Sequence, residues 1–272
     1  MSPFGKPKAP EDIIYHAVSF LEKNQPKAAV TLFNQVLKSD PKNIEALYNK
    51  GLALNQLKKY QDAITSFDKV LEIKPDDAHA LNNRAIAMAE LGNTEDALEY
   101  YDRAIKSDQK YSAAHYNKGV LYDKLGKPDE AMMCLDESIK LEPRNPNSRF
   151  YKGIIFGRLK RHEEALNCFS NISHSNPQHM DALFHKGIEL AELSNHKQAI
   201  EIFDKILSNH KDNVNVIYAK SRSKAAIGEI DQAYDLLKKA VSKNPKVIKQ
   251  WAGQEKIFER LLDDERFRKI IK

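Results

Sequence analysis

The feature that most constrains this chain is a pattern that returns every 34 residues. The stretch from Ile44 to Asp77, IEALYNKGLALNQLKKYQDAITSFDKVLEIKPDD, contains its full form. When Ile44 is position 1, large apolar residues fall at positions 4, 11, 24 and 27, small residues at 8 and 20, and proline at 32. A period of this length is typical of repeat architectures, in which each repeat buries its apolar face by packing on its neighbours.

The spacing within one period predicts two helices. Positions 4, 8 and 11 share one face of a first helix, and positions 20, 24 and 27 share one face of a second, because residues three or four apart lie on the same side of a helix. Small side chains at 8 and 20 allow the two helices to approach closely, while the larger ones fill the space on either side. Proline at position 32 predicts the end of the second helix.

The repeat covers nearly the whole chain. Position 20 is alanine in every repeat, and position 8 is always alanine, glycine or serine. Glycines in turns such as Leu91-Gly92-Asn93 suit a left-handed helix cap, and Pro26 and Pro128 suit the first turn of a helix. Seven repeats follow one another without insertion: 10–43, 44–77, 78–111, 112–145, 146–179, 180–213 and 214–247.

This combination of a 34-residue period, a small residue at 8, alanine at 20, an aromatic residue at 24 and proline at 32 resembles the tetratricopeptide repeat (TPR). The resemblance implies an all-α fold, a right-handed α-solenoid or superhelix of helix-turn-helix repeats. It also implies a non-enzymatic scaffold for protein–protein interactions.

The two ends of the chain depart from the repeat. Residues 1–9 contain two prolines and no apolar run, which predicts a flexible tail rather than a signal peptide. Ile248 to Leu262 begins like an eighth first helix, but Glu255 stands at position 8, where a following helix needs a small residue. Residues 248–272, which end in an amphipathic helix, are therefore predicted to form a solvating cap.

Composition excludes several classes of protein. The net charge is +5, and no segment approaches the run of roughly 18 apolar residues that a membrane span needs. We therefore expect a cytoplasmic protein without a membrane partner. No phosphate-binding loop, zinc-protease motif, CxxC pair or nucleophile elbow occurs, and the nine histidines lack the spacing of zinc ligands. The sequence thus predicts no enzyme activity, no cofactor and no metal site.

The candidate binding site follows from the family resemblance. In TPR proteins the first helices line a concave groove that holds an extended peptide or a partner's helix, mainly through positions 2, 5, 6, 9, 12 and 13. Rings and aliphatic groups at 5 and 9 offer apolar pockets, and amides at 6 can bond to a peptide backbone. The alternative is that these side chains only pack neighbouring repeats together. The candidate residues are Tyr48, Asn49, Leu52, Asn82, Asn83, Ile86, Tyr116, Asn117, Val120, Phe150, Tyr151, Ile154, Phe184 and Ile188.

Charge at the groove positions constrains the partner. The groove positions carry seven acidic and three basic residues. We therefore expect an apolar partner, with basic character as a further option. The family's carboxylate clamp for acidic chaperone tails needs lysine at 5, asparagine at 9, asparagine at 6, lysine at 2 and arginine at 6. Only the asparagine at 6 is present, which argues against such a tail. Self-association through the first helix, 10–22, stays open.

A second hypothesis concerns position 7, which is basic in six repeats. Such a ladder could follow the phosphates of a nucleic acid, so RNA or DNA binding is the alternative function. We favour instead aliphatic stems that lie beside the packing stripe with their charged heads in water. The six residues are Lys50, Arg84, Lys118, Lys152, Lys186 and Lys220.

Overall fold

A computed structural model describes residues 9–272, so the predicted tail lies outside the described residues except for Ala9. All regular structure in this range is helical, which confirms the all-α prediction. The chain forms two compact units divided between Arg144 and Asn145, called here the N-terminal and C-terminal units.

Seven helical hairpins account for most of both units, one in each predicted repeat. The N-terminal unit contains α1 (Pro10–Glu22), α2 (Pro26–Ser39), α3 (Ile44–Gln56), α4 (Tyr60–Ile73), α5 (Ala78–Glu90), α6 (Thr94–Ser107), α7 (Ser112–Lys124) and α8 (Pro128–Leu141). The C-terminal unit contains α9 (Pro146–Arg158), α10 (His162–Ser175), α11 (Met180–Glu192), α12 (His196–Asn209), α13 (Val214–Ala226) and α14 (Ile230–Lys243).

Local sequence explains where these helices begin and end. Pro26 and Pro128 occupy the first turn of α2 and α8, as predicted. Asn43 and Asp77, at position 34, cap the following first helix by accepting a hydrogen bond from the backbone N–H three residues on. Position 15 adopts a left-handed conformation in all seven repeats. Its residues are Asn24, Lys58, Gly92, Gly126, Lys160, Ser194 and Gly228.

The core of each repeat lies between positions 8, 20 and 24. The alanine at position 20 is fully buried in all seven repeats. The helices of some hairpins approach so closely that a Cβ atom on Gly51 would lie 2.5 Å from the ring of Phe67. Gly187 and Phe203 have the same 2.5 Å relation in the C-terminal unit. Glycine at position 8 is therefore required where a phenylalanine fills position 24 in this way.

The segment after the seventh hairpin differs from the prediction. The first helix expected over 248–262 is instead α15 (Pro245–Gln254) followed by a 3₁₀ helix (Lys256–Leu261), and α16 (Glu265–Ile271) comes last. The helix stops because Glu255, at φ −82° and ψ 117°, is extended. This bend lets the fully buried Phe258 pack on Phe267, with ring centroids 5.4 Å apart.

Candidate functional site

The first helices of successive repeats contact one another. For example, α3 contacts α5, and α11 contacts α13. Their side chains at positions 2, 5, 6, 9, 12 and 13 form what we call the first-helix face of each unit. The predicted site residues all belong to this face. Because the chain forms two units, the face is described separately in each.

In the N-terminal unit, hydrogen bonds between side chains of successive repeats connect the face. Nδ2 of Asn83 donates to the hydroxyl of Tyr48 at 3.0 Å and to the carbonyl of His79 at 2.8 Å. Nδ2 of Asn117 donates to Oδ1 of Asn82 at 2.9 Å. The amide donors that the sequence offered to a partner's backbone are thus already bonded within the protein.

The side-chain amides of Asn82 and Asn49 are also bonded within the protein. Asn82 is only 2% exposed, and its Nδ2 donates to the hydroxyl of Tyr111 at 3.5 Å. Asn49 donates to the carbonyl of Glu45, one turn back in its own helix, at 3.0 Å. Asn82 therefore links two repeats in the interior, and Asn49 is held by its own helix.

The remaining predicted residues of this unit are partly accessible. Leu52 and Ile86 pack at the border of the core, and Val120 and Tyr116 are half-buried. Burial, with the nearby charge of Tyr111 and Asp77, raises the pKa of Tyr48 to about 12, although its bond from Asn83 opposes the shift. Tyr48 is therefore a neutral hydroxyl across the physiological range and acts as an acceptor between repeats.

In the C-terminal unit, aromatic rings rather than amides dominate the face. Phe150 packs edge-on against Phe169 and His185, with ring centroids 5.4 Å apart in both pairs. His185 also stacks on Phe169 at 5.1 Å and lies edge-on to Phe184 at 5.5 Å. Burial lowers the pKa of His185, so the imidazole is neutral at physiological pH and behaves as one more ring of the cluster. Half-buried predicted residues here are Tyr151, Ile154 and Ile188.

An opening with aromatic walls lies between α11, α13 and α15. It is a cleft of about 440 Å³ walled by Phe184, Tyr218 and Trp251. The Trp251 side chain is 41% exposed, and its ring lies 5.5 Å from that of Tyr218. Its size and aromatic walls are typical of a pocket that receives an apolar side chain.

Charged groups form one edge of this cleft. Nε of Arg222 lies 3.0 Å from Oε2 of Glu255, and its Nη2 lies 3.1 Å from Oε1 of Glu192. Two carboxylates thus surround one guanidinium, which leaves this edge with a net negative charge. Burial, with the nearby carboxylate of Glu255, raises the pKa of the Tyr218 hydroxyl, which is therefore neutral. The cleft therefore combines apolar walls with an acceptor-rich rim.

Most of this cleft lies outside the residues that the sequence predicted for the site. The predicted residues stop at Ile188, and only Phe184 lines the opening. Tyr218 continues the aromatic series at position 5, and this was the available signal. Trp251 was harder to assign, because its exposure depends on the helix break at Glu255, which the repeat pattern does not contain.

At least three of the six residues of the basic ladder form ion pairs within the protein. Nε of Arg84 lies 2.5 Å from Asp68, and Nζ of Lys118 lies 2.5 Å from Asp102. Lys220 pairs with Asp204 in the same way. The three cationic side chains are only 14–17% exposed. Each pair joins position 7 of one repeat to position 25 of the preceding repeat, so these cations stabilise the stacking of repeats.

The part of the chain that the structure describes also bears on metal binding and membrane insertion. No group of three or more histidine, cysteine, aspartate or glutamate side chains is arranged to hold a metal ion there. His162 instead lies 2.7 Å from the buried Glu189. Among the same residues, no helix combines the length and apolarity needed to cross a membrane.

Comparison with known families identifies the class of protein. Three models of the tetratricopeptide repeat match, one at residues 16–78 and 152–214, one at 54–119 and one at 112–145. Together they cover well over half of the chain, so this protein belongs to the TPR family. Arrays of this kind generally present extended surfaces for binding other proteins.

Solved structures of TPR proteins share the fold. A TPR protein from Parabacteroides merdae is 22% identical with a TM-score of 0.59, and the match covers 89% of this chain and 96% of that one. PilW, a type IV pilus biogenesis factor, is 23% identical with a TM-score of 0.66, covering 78% and 98%. YrrB, a TPR protein with an unusual peptide-binding site, is 22% identical with a TM-score of 0.53, covering 69% and 97%. No curated protein matches the sequence.

Proposed function

We propose that this protein is a non-enzymatic interaction scaffold that binds a peptide segment or helix of a partner protein on its first-helix faces. The observation that carries the proposal is the cleft of Phe184, Tyr218 and Trp251. Aromatic groups that line a concave opening are common anchors of protein interfaces, because they bury a large area at a small cost in side-chain entropy. Among the three rings of this cleft, Trp251 is the exposed one.

The chemistry of the cleft defines the partner. Its aromatic walls suit a large apolar side chain, and the carboxylates of Glu192 and Glu255 suit a neighbouring lysine or arginine. An acidic tail would meet these carboxylates and lose energy by repulsion. The partner is therefore a segment that contains an apolar anchor, with basic character beside it.

The first experiment is affinity capture from a lysate of the source cells at low and raised salt, with identification of the bound proteins by mass spectrometry. Wild type is compared with Phe184→Ala combined with Trp251→Ala, and with the control Met133→Ala. Met133 is 71% exposed on α8, a second helix, and lies outside the first-helix faces. Proteins that wild type and control retain at raised salt, and that the double variant loses, would support the proposal.

A purified partner segment then gives the magnitude by calorimetry. Loss of two anchors is expected to weaken binding by about 30-fold or more, since anchor residues each contribute roughly 2 kcal/mol or above. Trp251→Ala alone guards against misfolding, because Trp251 is exposed. A segment that binds wild type and both variants equally would refute the cleft as the site.

The wider predicted face is tested by combining Tyr116→Ala with Phe150→Ala. If the partner extends beyond the cleft, this variant binds it more weakly, again as measured by calorimetry. Unchanged affinity would restrict the site to the C-terminal end of the array.

Nucleic-acid binding ranks second. Arg84, Lys118 and Lys220 already have aspartate partners, so a bound phosphate would have to displace these carboxylates. Retention of nucleic acid at low salt, with steep loss at raised salt, would reverse this order.

A further inference from the structure

Positive charge is concentrated at the C-terminal end of the chain. Residues 238–272 contain 11 lysines and arginines against 5 aspartates and glutamates, a formal net charge of +6. The preceding 237 residues are nearly neutral, with 32 basic and 33 acidic residues. The excess charge of the whole protein therefore lies in α15, α16 and the end of α14.

Part of this charge converges on one cleft. A cavity of about 460 Å³ lies between α14, α15 and α16. Of these three helices, only α15 also lines the aromatic cleft. Four of its seven lining residues are cations, and none is acidic. The lining residues are Lys238, Val241, Ser242, Lys249, Arg266, Lys269 and Ile270.

Two of the four cations of this cleft are weakly paired or unpaired. Lys249 is half-buried and has no acidic partner among the described residues. Lys238 lies 3.7 Å from Asp235, and both side chains are mostly exposed. Pairs of this kind contribute little and exchange readily with solvent ions. Lys238 and Lys249 thus differ from Arg84, Lys118 and Lys220, which each have a close aspartate partner.

The remaining two cations are constrained in different ways. Arg266 is fixed by Asp231 at 2.7 Å and by Asp264 at 3.2 Å, so its position at the cleft is set and its charge is balanced by these carboxylates. Lys269 pairs with Glu265 one helical turn away at 2.8 Å, on an exposed surface. An anion in the cleft would replace Glu265 as the partner of Lys269 at a small cost in free energy.

We propose that this cleft binds a phosphate monoester carried on a protein segment, such as a phosphoserine or phosphothreonine. Several cations that converge on one small cavity match a compact dianion with three acceptor oxygens. A polyanion stretched along the surface would instead need a linear series of cations. Val241 and Ile270 supply an apolar wall for the side chain next to the phosphorylated residue.

The proposal is independent of the aromatic cleft, since the two sites share no lining residue. The test uses the full-length protein and a fluorescent peptide library with a fixed central phosphoserine and varied neighbours. Its unphosphorylated counterpart is measured alongside by fluorescence anisotropy at physiological salt. Peptides selected from the phosphorylated library should bind at least about tenfold more tightly than the same peptides without phosphate.

The matched variants distinguish the cleft from general positive charge. Lys249→Glu combined with Lys269→Glu should reduce phosphopeptide affinity by about tenfold or more, because two lining cations are reversed. The control Lys246→Glu combined with Lys272→Glu makes the same change in charge at exposed residues outside the cleft. The control should stay within about twofold of wild type at physiological salt.

Three results would overturn the proposal. The first is equal affinity for phosphorylated and unphosphorylated peptides. The second is an equal loss in the cleft variant and the control, which would indicate only long-range attraction. The third is binding to phosphatidic acid vesicles or single-stranded RNA that depends on Lys249 and Lys269, with no phosphopeptide selected. A folded state of each variant is checked by its helical circular dichroism and melting temperature.

Discussion

The first-helix faces of the two units use the same repeat positions for different purposes. In the N-terminal unit, Asn82 stands at position 5, is buried, and forms hydrogen bonds with Asn117 and Tyr111. In the C-terminal unit, Phe184 and Tyr218 stand at position 5 and wall an open cleft. The difference shows that one repeat position can couple repeats or line an open cleft, depending on the side chain that it carries.

The largest expected effect tests whether the units share one core beneath these different faces. Phe67→Ala and Phe203→Ala each remove a fully buried ring that packs against a glycine at position 8. Each should lower the free energy of unfolding of its unit by about 3–5 kcal/mol, because a large cavity remains. Urea denaturation followed by circular dichroism measures both. A loss below about 1 kcal/mol in either variant would mean that the cores differ as well.

The next effect addresses the polar links of the N-terminal unit. Asn82→Ala leaves the amide of Asn117 and the hydroxyl of Tyr111 without their partner, which should cost about 1–3 kcal/mol of stability. Asn49→Ala is the control, since Asn49 bonds only within its own helix. The control should change stability by less than about 0.5 kcal/mol. Equal losses in urea denaturation would contradict the assigned role of Asn82.

A pH-dependent effect is expected at position 4 of repeat 4, where His115 replaces the large apolar residue of the repeat pattern. Burial lowers the pKa of His115 below its ordinary value of 6.5, so the unfolded chain binds a proton more readily than the folded one. Its contribution to stability is present above pH 6.5 and is lost as the pH falls through the lowered pKa. His115→Leu should therefore lose less stability than wild type between pH 7.5 and 5.5 in parallel urea denaturations. Identical losses would show that His115 does not control this dependence.

The smallest expected effect concerns the ladder, which the two units share. Arg84→Met removes the ion pair with Asp68 and should cost about 1 kcal/mol or less, because one partner is largely exposed. Lys50→Met is the matched control, since the residue at the equivalent position 25 is Asn34 and no ion pair forms there. A double-mutant cycle with Asp68→Asn isolates the pair. A coupling energy of zero would show that this ion pair does not stabilise the stacking of repeats.

The repeat pattern predicted the helices and the close approach of each pair at small residues, since these depend on contacts within one period. It suggested a left-handed residue only at glycine turns, although Lys58 and Ser194 take the same conformation because their repeats impose it. The ion pairs escaped prediction, since Arg84 and Asp68 meet only after two repeats stack.

The candidate site was less predictable for a related reason. The sequence identified aromatic and amide positions on the first helices but could not tell which amides would be used within the protein. Whether Asn83 is available depends on the hydroxyl of Tyr48, a repeat away. The aromatic cleft depends on the bend at Glu255, which has no precedent in the seven preceding repeats. Both features are properties of neighbouring repeats rather than of one.

The ion pair between positions 7 and 25 has a consequence for how such a chain can grow by duplication. A copied repeat that carries both groups brings a cation for the repeat before it and an aspartate for the repeat after it. Wherever the copy is inserted among similar repeats, both of its edges meet a complementary charge. Arg84 with Asp102 and Lys118 with Asp136 show such two-sided repeats in sequence. Lengthening the array would then require no compensating substitution at either new junction.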